Sequence, residues 1–177
     1  MAVEPGDEKA LRYFIRKKGK DESLATDLKQ AQSHAWLARV RWTGEMHSQA
    51  FVRNHSFAVG QPASFDSQDP APSAVEYLLA ALGGCLVAGF QWRASRRGIQ
   101  IQNLEVSLKA QGDNILVFLG IEDSGHPGLR TVEGSLYVDA DADDEMLQAL
   151  WEETQLRCPI TQSLIRHVPV HIHMKRA

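Results

Sequence analysis

The sequence is poor in cysteine, has no excess of basic charge, and shows no apolar run typical of a membrane span. Only two of its 177 residues are cysteines, Cys85 and Cys158, and their spacing does not match a zinc-binding pattern. The formal net charge is −3, so nucleic acid is a poor candidate partner. The uncharged run at residues 77–90 has 14 residues. It is shorter than the roughly 18 expected of a membrane-spanning helix.

The first 34 residues are polar and lack the apolar segment of a secretory signal. We therefore expect a cytoplasmic protein whose thiols are kept reduced, in which any bond between Cys85 and Cys158 would be transient. Residues 1–34 are interpreted as a polar N-terminal extension, with short helices predicted at 8–18 and 23–32. Residues 35–177 are interpreted as the folded domain.

A long helix is predicted between Ser73 and Gly98. The Ser73 hydroxyl suits the N-cap position, and Glu76, three residues later, completes a capping box. Gly98 follows two arginines and can adopt the left-handed conformation that ends a helix. Because residues 77–90 carry no charge and no side-chain amide, the helix is expected to be buried on nearly every side.

Cys85 lies in the middle of this helix, directly after two glycines. A glycine inside a helix costs about 1 kcal/mol relative to alanine, which indicates close packing against this surface. The thiol is expected in an apolar slot, since apolar and small residues share its face at helical spacing: Leu78, Ala81, Leu82, Gly89 and Trp92. A cysteine in such a slot is either a packing residue or a reactive thiol, and its position alone does not decide between them.

Alternation of apolar and polar residues predicts strands on both sides of the helix. They are expected at residues 35–42, 48–59, 99–110, 131–138 and 168–174. In the second of these strands, Arg53 and His55 would share one face. In the last, His171 and His173 would also share a face, but no third ligand accompanies them and no metal site is expected.

A second helix is predicted at residues 146–156, after an acidic segment. Pro159 interrupts it because proline has no N–H for the helical hydrogen bond. If the helix restarts at Pro159, Cys158 occupies the new N-cap, where free N–H groups and the helix dipole lower the pKa of the thiol. The residues alone therefore favour Cys158 as the more acidic of the two thiols.

Four segments carry a family resemblance: PSAVEYLLAALGGCL, FLGIEDSGHPGLRTVEGSLYVDADADDEML, LRCPITQSLI and VPVHIH. They resemble the OsmC/Ohr family of osmotically inducible and organic-hydroperoxide-resistance proteins, and the resemblance spans residues 35–174. It implies an α+β fold in which antiparallel sheets surround a long buried central helix. It also implies an intertwined homodimer, with sites formed where the two chains meet.

The resemblance further implies that the protein reduces organic hydroperoxides to alcohols. Cys85 would attack the peroxide and become a sulfenic acid, Cys158 would resolve it as a disulfide, and an external dithiol would reduce the disulfide. No cofactor and no metal are expected. Leu78, Leu82 and His55 are interpreted as substrate-binding residues.

One part of the family pattern is missing from this sequence. Reductases of the family activate the thiol with an arginine and with a glutamate ten residues before the first cysteine. Val75 occupies that position here. Glu76 lies one place too late and also has a capping role, and Arg53 is the best substitute for the arginine. We include both among the candidate catalytic residues.

Two other functions remain open at this point. In one, the apolar cleft binds a small hydrophobic ligand and the cysteines only pack. Val75 favours this alternative, whereas the presence of both cysteines in the matching places favours the peroxidase. In the other, Cys85, Cys158 and histidines would bind a metal, for which the sequence gives little support.

Overall fold

The structure, a computed structural model, describes residues 35–62, 70–166 and 168–176. The N-terminal extension and its two predicted helices lie outside the described residues. The described chain divides into two compact units, with the boundary between Ala74 and Val75. Its elements are α-helices and antiparallel strands, which confirms the predicted α+β class.

The first unit contains a three-stranded antiparallel sheet in the order β1-β2-β3. Its strands are β1 (Arg39–Gly44), β2 (His47–Val52) and β3 (His55–Val59). On β1, the side chains of Val40 and Trp42 are 60% and 72% exposed. Because residues two apart share a sheet face, the described residues leave an apolar face of this sheet uncovered.

The predicted strand 48–59 is in fact two strands joined by a turn at Arg53 and Asn54. Val52 pairs directly with His55, so the two residues between them form the loop. Arg53 has a φ of 55°, in the left-handed region that favours glycine, and the sequence has no glycine here to signal a turn. The prediction that Arg53 and His55 share a strand face is therefore wrong: Arg53 is an exposed turn residue, and His55 begins β3.

Helix α1 (Ala74–Arg96) carries Cys85 near its middle and begins directly after Ser73. It is followed by Gly98 at a φ of 74°, and the N–H of Ile99 donates to the Ala94 carbonyl at 3.0 Å. This is the left-handed backbone conformation that was predicted to end the helix at Gly98. Both ends of the helix therefore lie where the sequence places them.

Only one side of α1 is buried by the described residues. Leu82, Leu86, Phe90 and Ala94 are buried, at intervals of four residues along the helix. The expected burial on nearly every side is therefore not provided by the described residues. Among the described helices, α1 is long and apolar enough to cross a membrane, but core helices of soluble proteins have the same length and composition.

The second unit contains an antiparallel pair of long strands that packs on α1. They are β4 (Ile101–Gly112) and β5 (Leu129–Ala140), and both confirm predicted strands with slightly longer bounds. The short helix α2 (Ile115–Phe118) lies between them in the chain. Apolar side chains of the pair contact the buried side of α1, among them Val106, Leu108, Val132 and Leu136.

Two consecutive helices complete the second unit. Helix α3 (Asp144–Arg157) begins after Asp143, whose carboxylate accepts a hydrogen bond in the first turn. Helix α4 (Pro159–Ile165) follows at once, with Cys158 as its N-cap. The predicted helix, its interruption and its restart at the proline are all confirmed.

Residues 168–176 have no regular secondary structure, so the predicted strand 168–174 is not formed in this chain. The apolar side chains of its alternating pattern are exposed, Ile172 by 87% and Met174 by 90%. A strand requires a neighbour that completes its ladder of hydrogen bonds, and neither sheet of the described chain includes this segment. His171 and His173 are exposed as well.

Candidate functional site

The structure brings the two cysteines together. The Sγ atom of Cys158 lies 3.1 Å from the Sγ atom of Cys85, and both are free thiols. Cys85 is carried by α1 and Cys158 by the junction of α3 and α4, so the contact joins residues 73 positions apart. Cys158 is only 3% exposed, whereas Cys85 is half-buried. A small approach of the two sulfurs would bring them to disulfide geometry.

The start of α4 stabilises the thiolate form of Cys158. Burial raises the pKa of Cys158, but the Thr161 side chain and N–H, the Cys85 thiol and the Ile160 N–H outweigh it and hold the pKa below its usual value. The N–H of Thr161 lies 3.4 Å from the sulfur. Because α4 has only seven residues, these direct hydrogen bonds matter more than a helix dipole. The lowered pKa expected at this cap position is confirmed.

The surroundings of Cys85 have the opposite effect. Burial raises the pKa of Cys85, and so does its hydrogen bond with Cys158. The Ile160 N–H and the charge of Arg93 lower it, but by less. The two thiols are therefore shifted in opposite directions, with the pKa of Cys85 raised and that of Cys158 lowered.

Three arginines surround Glu153, a feature that we did not predict, and one of them, Arg93, also lowers the pKa of Cys85. The Arg97 Nη2 and Arg157 Nε atoms lie 2.9 and 3.1 Å from the Glu153 carboxylate, and the Arg93 Nε atom lies 3.6 Å from it. The hydrogen bond from Arg97, followed by the charges of all three arginines, holds the pKa of Glu153 below its ordinary value.

Gly89 has no side chain and so leaves space for the guanidinium of Arg93, which lies one turn later in α1. A Cβ atom at Gly89 would lie 3.1 Å from Arg93 Nη1 and 3.3 Å from Thr154 Cγ2. The space beside Gly89 is therefore taken up by these two side chains. Arg93 also donates to the Gly89 carbonyl at 2.8 Å. Arg93 lies two helical turns after Cys85 with Gly89 halfway between them, and this spacing is the sequence feature that could have identified it.

An open cavity of about 680 Å³ lies within the second unit, next to the cysteine pair. Most of its wall is apolar and includes Leu78 and Leu82, both predicted to contact substrate. Leu82 and Leu86 line the cavity and also pack on Cys158. Thr161, the hydrogen-bond partner of Cys158, is part of the same wall. The cavity has the size typical of small-molecule sites, and it adjoins the thiols through these shared residues, although neither cysteine lines it.

The remaining predicted site residues are Glu76, Arg53 and His55. Glu76 lies nine residues before Cys85 in α1, about 13 Å along the helix axis and about half a turn around it. Within one chain its carboxylate therefore does not reach the thiol. Arg53 and His55 belong to the first unit and are exposed there. In the described parts of the chain, no three His, Cys, Asp or Glu side chains are grouped to bind a metal.

Comparison with known proteins finds a matching family and solved structures of similar fold. The family model of the OsmC-like proteins matches residues 66–173. No curated protein sequence matches the chain significantly. The OsmC-like protein of Mycoplasma pneumoniae has a similar structure, with a TM-score of 0.64, 15% identity, and coverage of 74% of this chain and 87% of that one.

Two further solved structures are similar to this chain. The organic hydroperoxide resistance protein OsmC of Legionella pneumophila has a TM-score of 0.56 and 10% identity, over 75% of this chain and 90% of that one. The organic hydroperoxide resistance protein OhrB of Bacillus subtilis has a TM-score of 0.52 and 15% identity, over 75% and 91%.

At these identities the solved structures show a shared fold, in which antiparallel sheets accompany a long central helix. The family model is the stronger finding because its match covers more than half of the chain and includes both cysteines. The chain therefore belongs to the family of OsmC-like proteins.

Proposed function

We propose that this protein is a thiol-dependent peroxidase that reduces organic hydroperoxides to alcohols. The observation that carries the proposal is the 3.1 Å contact between the free thiols of Cys85 and Cys158. Two thiols at this distance can supply the two electrons that cleave one O–O bond and can end as a disulfide. The names of the Legionella pneumophila and Bacillus subtilis proteins, which refer to organic hydroperoxide resistance, support the same chemistry.

The proposed reaction has three steps. One thiolate attacks the peroxide, which forms a sulfenic acid and releases an alcohol. The second thiol condenses with the sulfenic acid to give a disulfide and water. An external dithiol then reduces the disulfide by exchange, in a reducing compartment such as the cytoplasm. By family resemblance, Cys85 would attack and Cys158 would resolve, and no cofactor takes part.

The cavity supports an organic hydroperoxide as the substrate. Its wall is mostly apolar, so the organic group of the substrate would leave water for an apolar surface that includes Leu78 and Leu82. Hydrogen peroxide has no such group and gains nothing there. Arg53, His55 and Glu76 enter the proposal only through a second chain, since the resemblance implies sites formed where two chains meet.

We also propose that two chains form a homodimer through the uncovered side of α1. Ala80, Gly84 and Ala88 are exposed at intervals of four residues on this helix. A Cβ atom at Gly84 would meet no atom within 4 Å in this chain. Because glycine in a helix costs about 1 kcal/mol relative to alanine, close approach of a second copy would account for its presence.

Turnover with a dithiol reductant tests the proposed activity. With cumene hydroperoxide and dihydrolipoamide, the wild-type protein is expected to consume peroxide, while Cys85→Ser and Cys158→Ser should each lose multiple turnover. Ser95→Ala, an exposed change on the same helix as Cys85, serves as the control. A Cys85→Ser protein that keeps full turnover would rule out the two-thiol peroxidase.

A second candidate function is the binding of a small hydrophobic ligand without chemistry. The cavity favours it, because its wall is built by residues other than the cysteines. Val75, at the place of the family glutamate, favours it as well. Thermal stabilisation by cumyl alcohol that survives Cys158→Ser, in a wild-type protein that does not turn over peroxide, would support binding over catalysis.

A further inference from the structure

We propose that Arg130 determines specificity at the cavity, where it binds a carboxylate carried by the apolar organic group of the substrate. The cavity would thus prefer amphipathic anions to neutral molecules of the same shape. This selectivity rests on the proposed peroxidase function for the reaction itself, whereas the binding step is tested without any peroxide. Its basis is the charge, the position and the unused hydrogen-bond donors of Arg130 in a mostly apolar wall.

The charges of the cavity wall are not balanced. Its charged residues are Arg130 and Glu133. The Glu133 carboxylate lies 3.1 Å from the Nζ atom of Lys109, so its charge is compensated within the strand pair. The guanidinium of Arg130 makes no ion pair and no hydrogen bond with any other residue that the structure describes. The described part of the wall therefore carries an uncompensated positive charge.

Arg130 lies at an irregularity in the pairing of β4 with β5. Thr131 pairs with Gln111 and Leu129 pairs with Gly112, so one step along β4 corresponds to two steps along β5. Arg130 is the extra residue, and a bulge of this kind turns a side chain out of the regular alternation of the strand. Because no residue lies opposite Arg130, its guanidinium is not engaged in a cross-strand pair.

The position of Arg130 relative to the cysteines suits a small organic molecule. Val132, two residues further along β5, packs against the buried cluster that includes Cys158, and Cys85 packs against the same cluster. A strand advances about 3.3 Å per residue, so Arg130 and Val132 are about 7 Å apart along β5. The substituents of a para-substituted benzene ring are separated by a similar distance. One molecule can therefore contact the guanidinium at one end and approach the thiols at the other.

The chemistry of the guanidinium indicates a carboxylate as its ligand. A guanidinium keeps its charge in proteins and binds a carboxylate through two parallel hydrogen bonds. Arg130 is exposed, and an ion pair surrounded by water contributes little to binding. An apolar group bound against the cavity wall would exclude water from one side of the pair and so strengthen it. The wall and the guanidinium therefore act together on a molecule that has both an apolar body and a carboxylate.

Calorimetry with 4-isopropylbenzoate and 4-isopropylbenzyl alcohol tests the binding step, because the two molecules share an apolar body and differ in charge. The wild-type protein is expected to bind the carboxylate about tenfold more tightly than the alcohol, as a hydrogen bond to a charged group implies. The difference should decrease in about 0.5 M sodium chloride, which screens an exposed charge. Equal affinity for the two molecules, or no binding of the carboxylate, would overturn the proposal.

Variants of Arg130 assign the preference to its side chain. Arg130→Gln removes the charge and is expected to weaken carboxylate binding about tenfold without changing the affinity for the alcohol. Arg130→Lys keeps the charge and should retain part of the preference. Arg41→Gln is the matched control, because Arg41 is an exposed strand arginine outside the cavity wall. A preference that survives Arg130→Gln, or that is lost equally in Arg41→Gln, would contradict the proposal.

Turnover of cumene hydroperoxide and of its 4-carboxy derivative connects binding to the reaction. Arg130→Gln should raise KM for the derivative about tenfold and leave its kcat nearly unchanged, because the guanidinium contacts the substituent and not the O–O bond. Both constants for cumene hydroperoxide should stay the same. Equal changes for the two peroxides would overturn the selective role of Arg130. If the wild-type protein consumes neither peroxide, the proposed peroxidase fails instead, and calorimetry still decides whether Arg130 binds the carboxylate.

Discussion

The sulfur of Cys158 lies 3.1 Å from the sulfur of Cys85, although 73 positions separate the two residues in the chain. Leu82 and Leu86 of α1 pack around Cys158 and fix the approach of the two helices. The two sides of the contact differ, because burial raises the pKa of the half-buried Cys85, whereas hydrogen bonds at the start of α4 hold the pKa of Cys158 below its usual value. In the proposed peroxidase, this asymmetry distinguishes the two thiols.

Oxidation is expected to stabilise the protein. A bond between Cys85 and Cys158 closes a loop of 73 positions, and a loop of this length adds about 4 kcal/mol by the chain-entropy estimate. Urea unfolding should therefore have a higher midpoint after one equivalent of cumene hydroperoxide than before it. Cys85→Ser, given the same treatment, should not shift. A lower midpoint in the oxidised wild-type protein would contradict the fit of the two sulfurs in the native fold.

A bulkier side chain in the cavity wall is expected to impair the reaction with organic hydroperoxides but not the reaction with hydrogen peroxide. Leu78→Trp places a larger side chain in the cavity wall, so KM for cumene hydroperoxide should rise by about tenfold or more while the reaction with hydrogen peroxide changes little. Ile121→Trp is the control, because Ile121 is 68% exposed and outside the cavity wall. Equal losses with both peroxides would place the organic group elsewhere.

The proposed dimer is expected to depend on Gly84. Gly84→Leu should leave the fold of one chain intact, since a Cβ atom there meets nothing within 4 Å, but should weaken association of two copies by crowding the helix surface. Sedimentation velocity measures the change. Gly112→Leu is the matched control, because a Cβ atom there also meets nothing within 4 Å. A Gly84→Leu protein that associates as tightly as the wild type would exclude this side of α1 from the interface.

The ion pairs between Glu153 and its three arginines are expected to stabilise the folded protein by an amount that depends on pH. The pKa of Glu153 in the folded protein lies below its ordinary value of about 4.5, so the contribution is complete above that pH and is lost as the pH falls towards the folded-state pKa. Glu153→Gln should cost about 1 kcal/mol at pH 7 by urea unfolding, and less in acid.

Glu133→Gln is the control for this change. Its pair with Lys109 has a distance of 3.1 Å, but both side chains are well exposed, at 60% and 80%. Removing an exposed pair should have little measurable effect at either pH. A loss at Glu153 that is the same in acid and at neutral pH would show that packing, and not charge, accounts for its effect.

Local chemistry made parts of the fold and site predictable from the sequence. The stop at Gly98 and the restart at Pro159 are each set by one residue with restricted or unusual backbone geometry. The cap position of Cys158 and its lowered pKa follow from the same proline. The meeting of Cys158 with Cys85 was implied only by family resemblance, because it depends on how distant elements pack.

The features that the sequence did not reveal depend on contacts outside the local pattern. Arg53 supports a turn with a backbone conformation usual for glycine, and Asn54 was the only typical turn residue between the two strands. The alternation at 168–174 is that of a strand, but no described strand of this chain completes its hydrogen bonds. Arg93 lowers the pKa of Cys85 from a position beside Gly89, which leaves space for it, and only the packed structure makes this visible.

Thiol titration with peptide mapping, before and after one equivalent of cumene hydroperoxide, tests the two-thiol reaction most directly. Two free thiols per chain are expected to fall to none, and the peptides of Cys85 and Cys158 are expected to be recovered joined within one chain. Two thiols that remain free, or a bond that joins Cys85 or Cys158 to another chain, would contradict the two-thiol reaction.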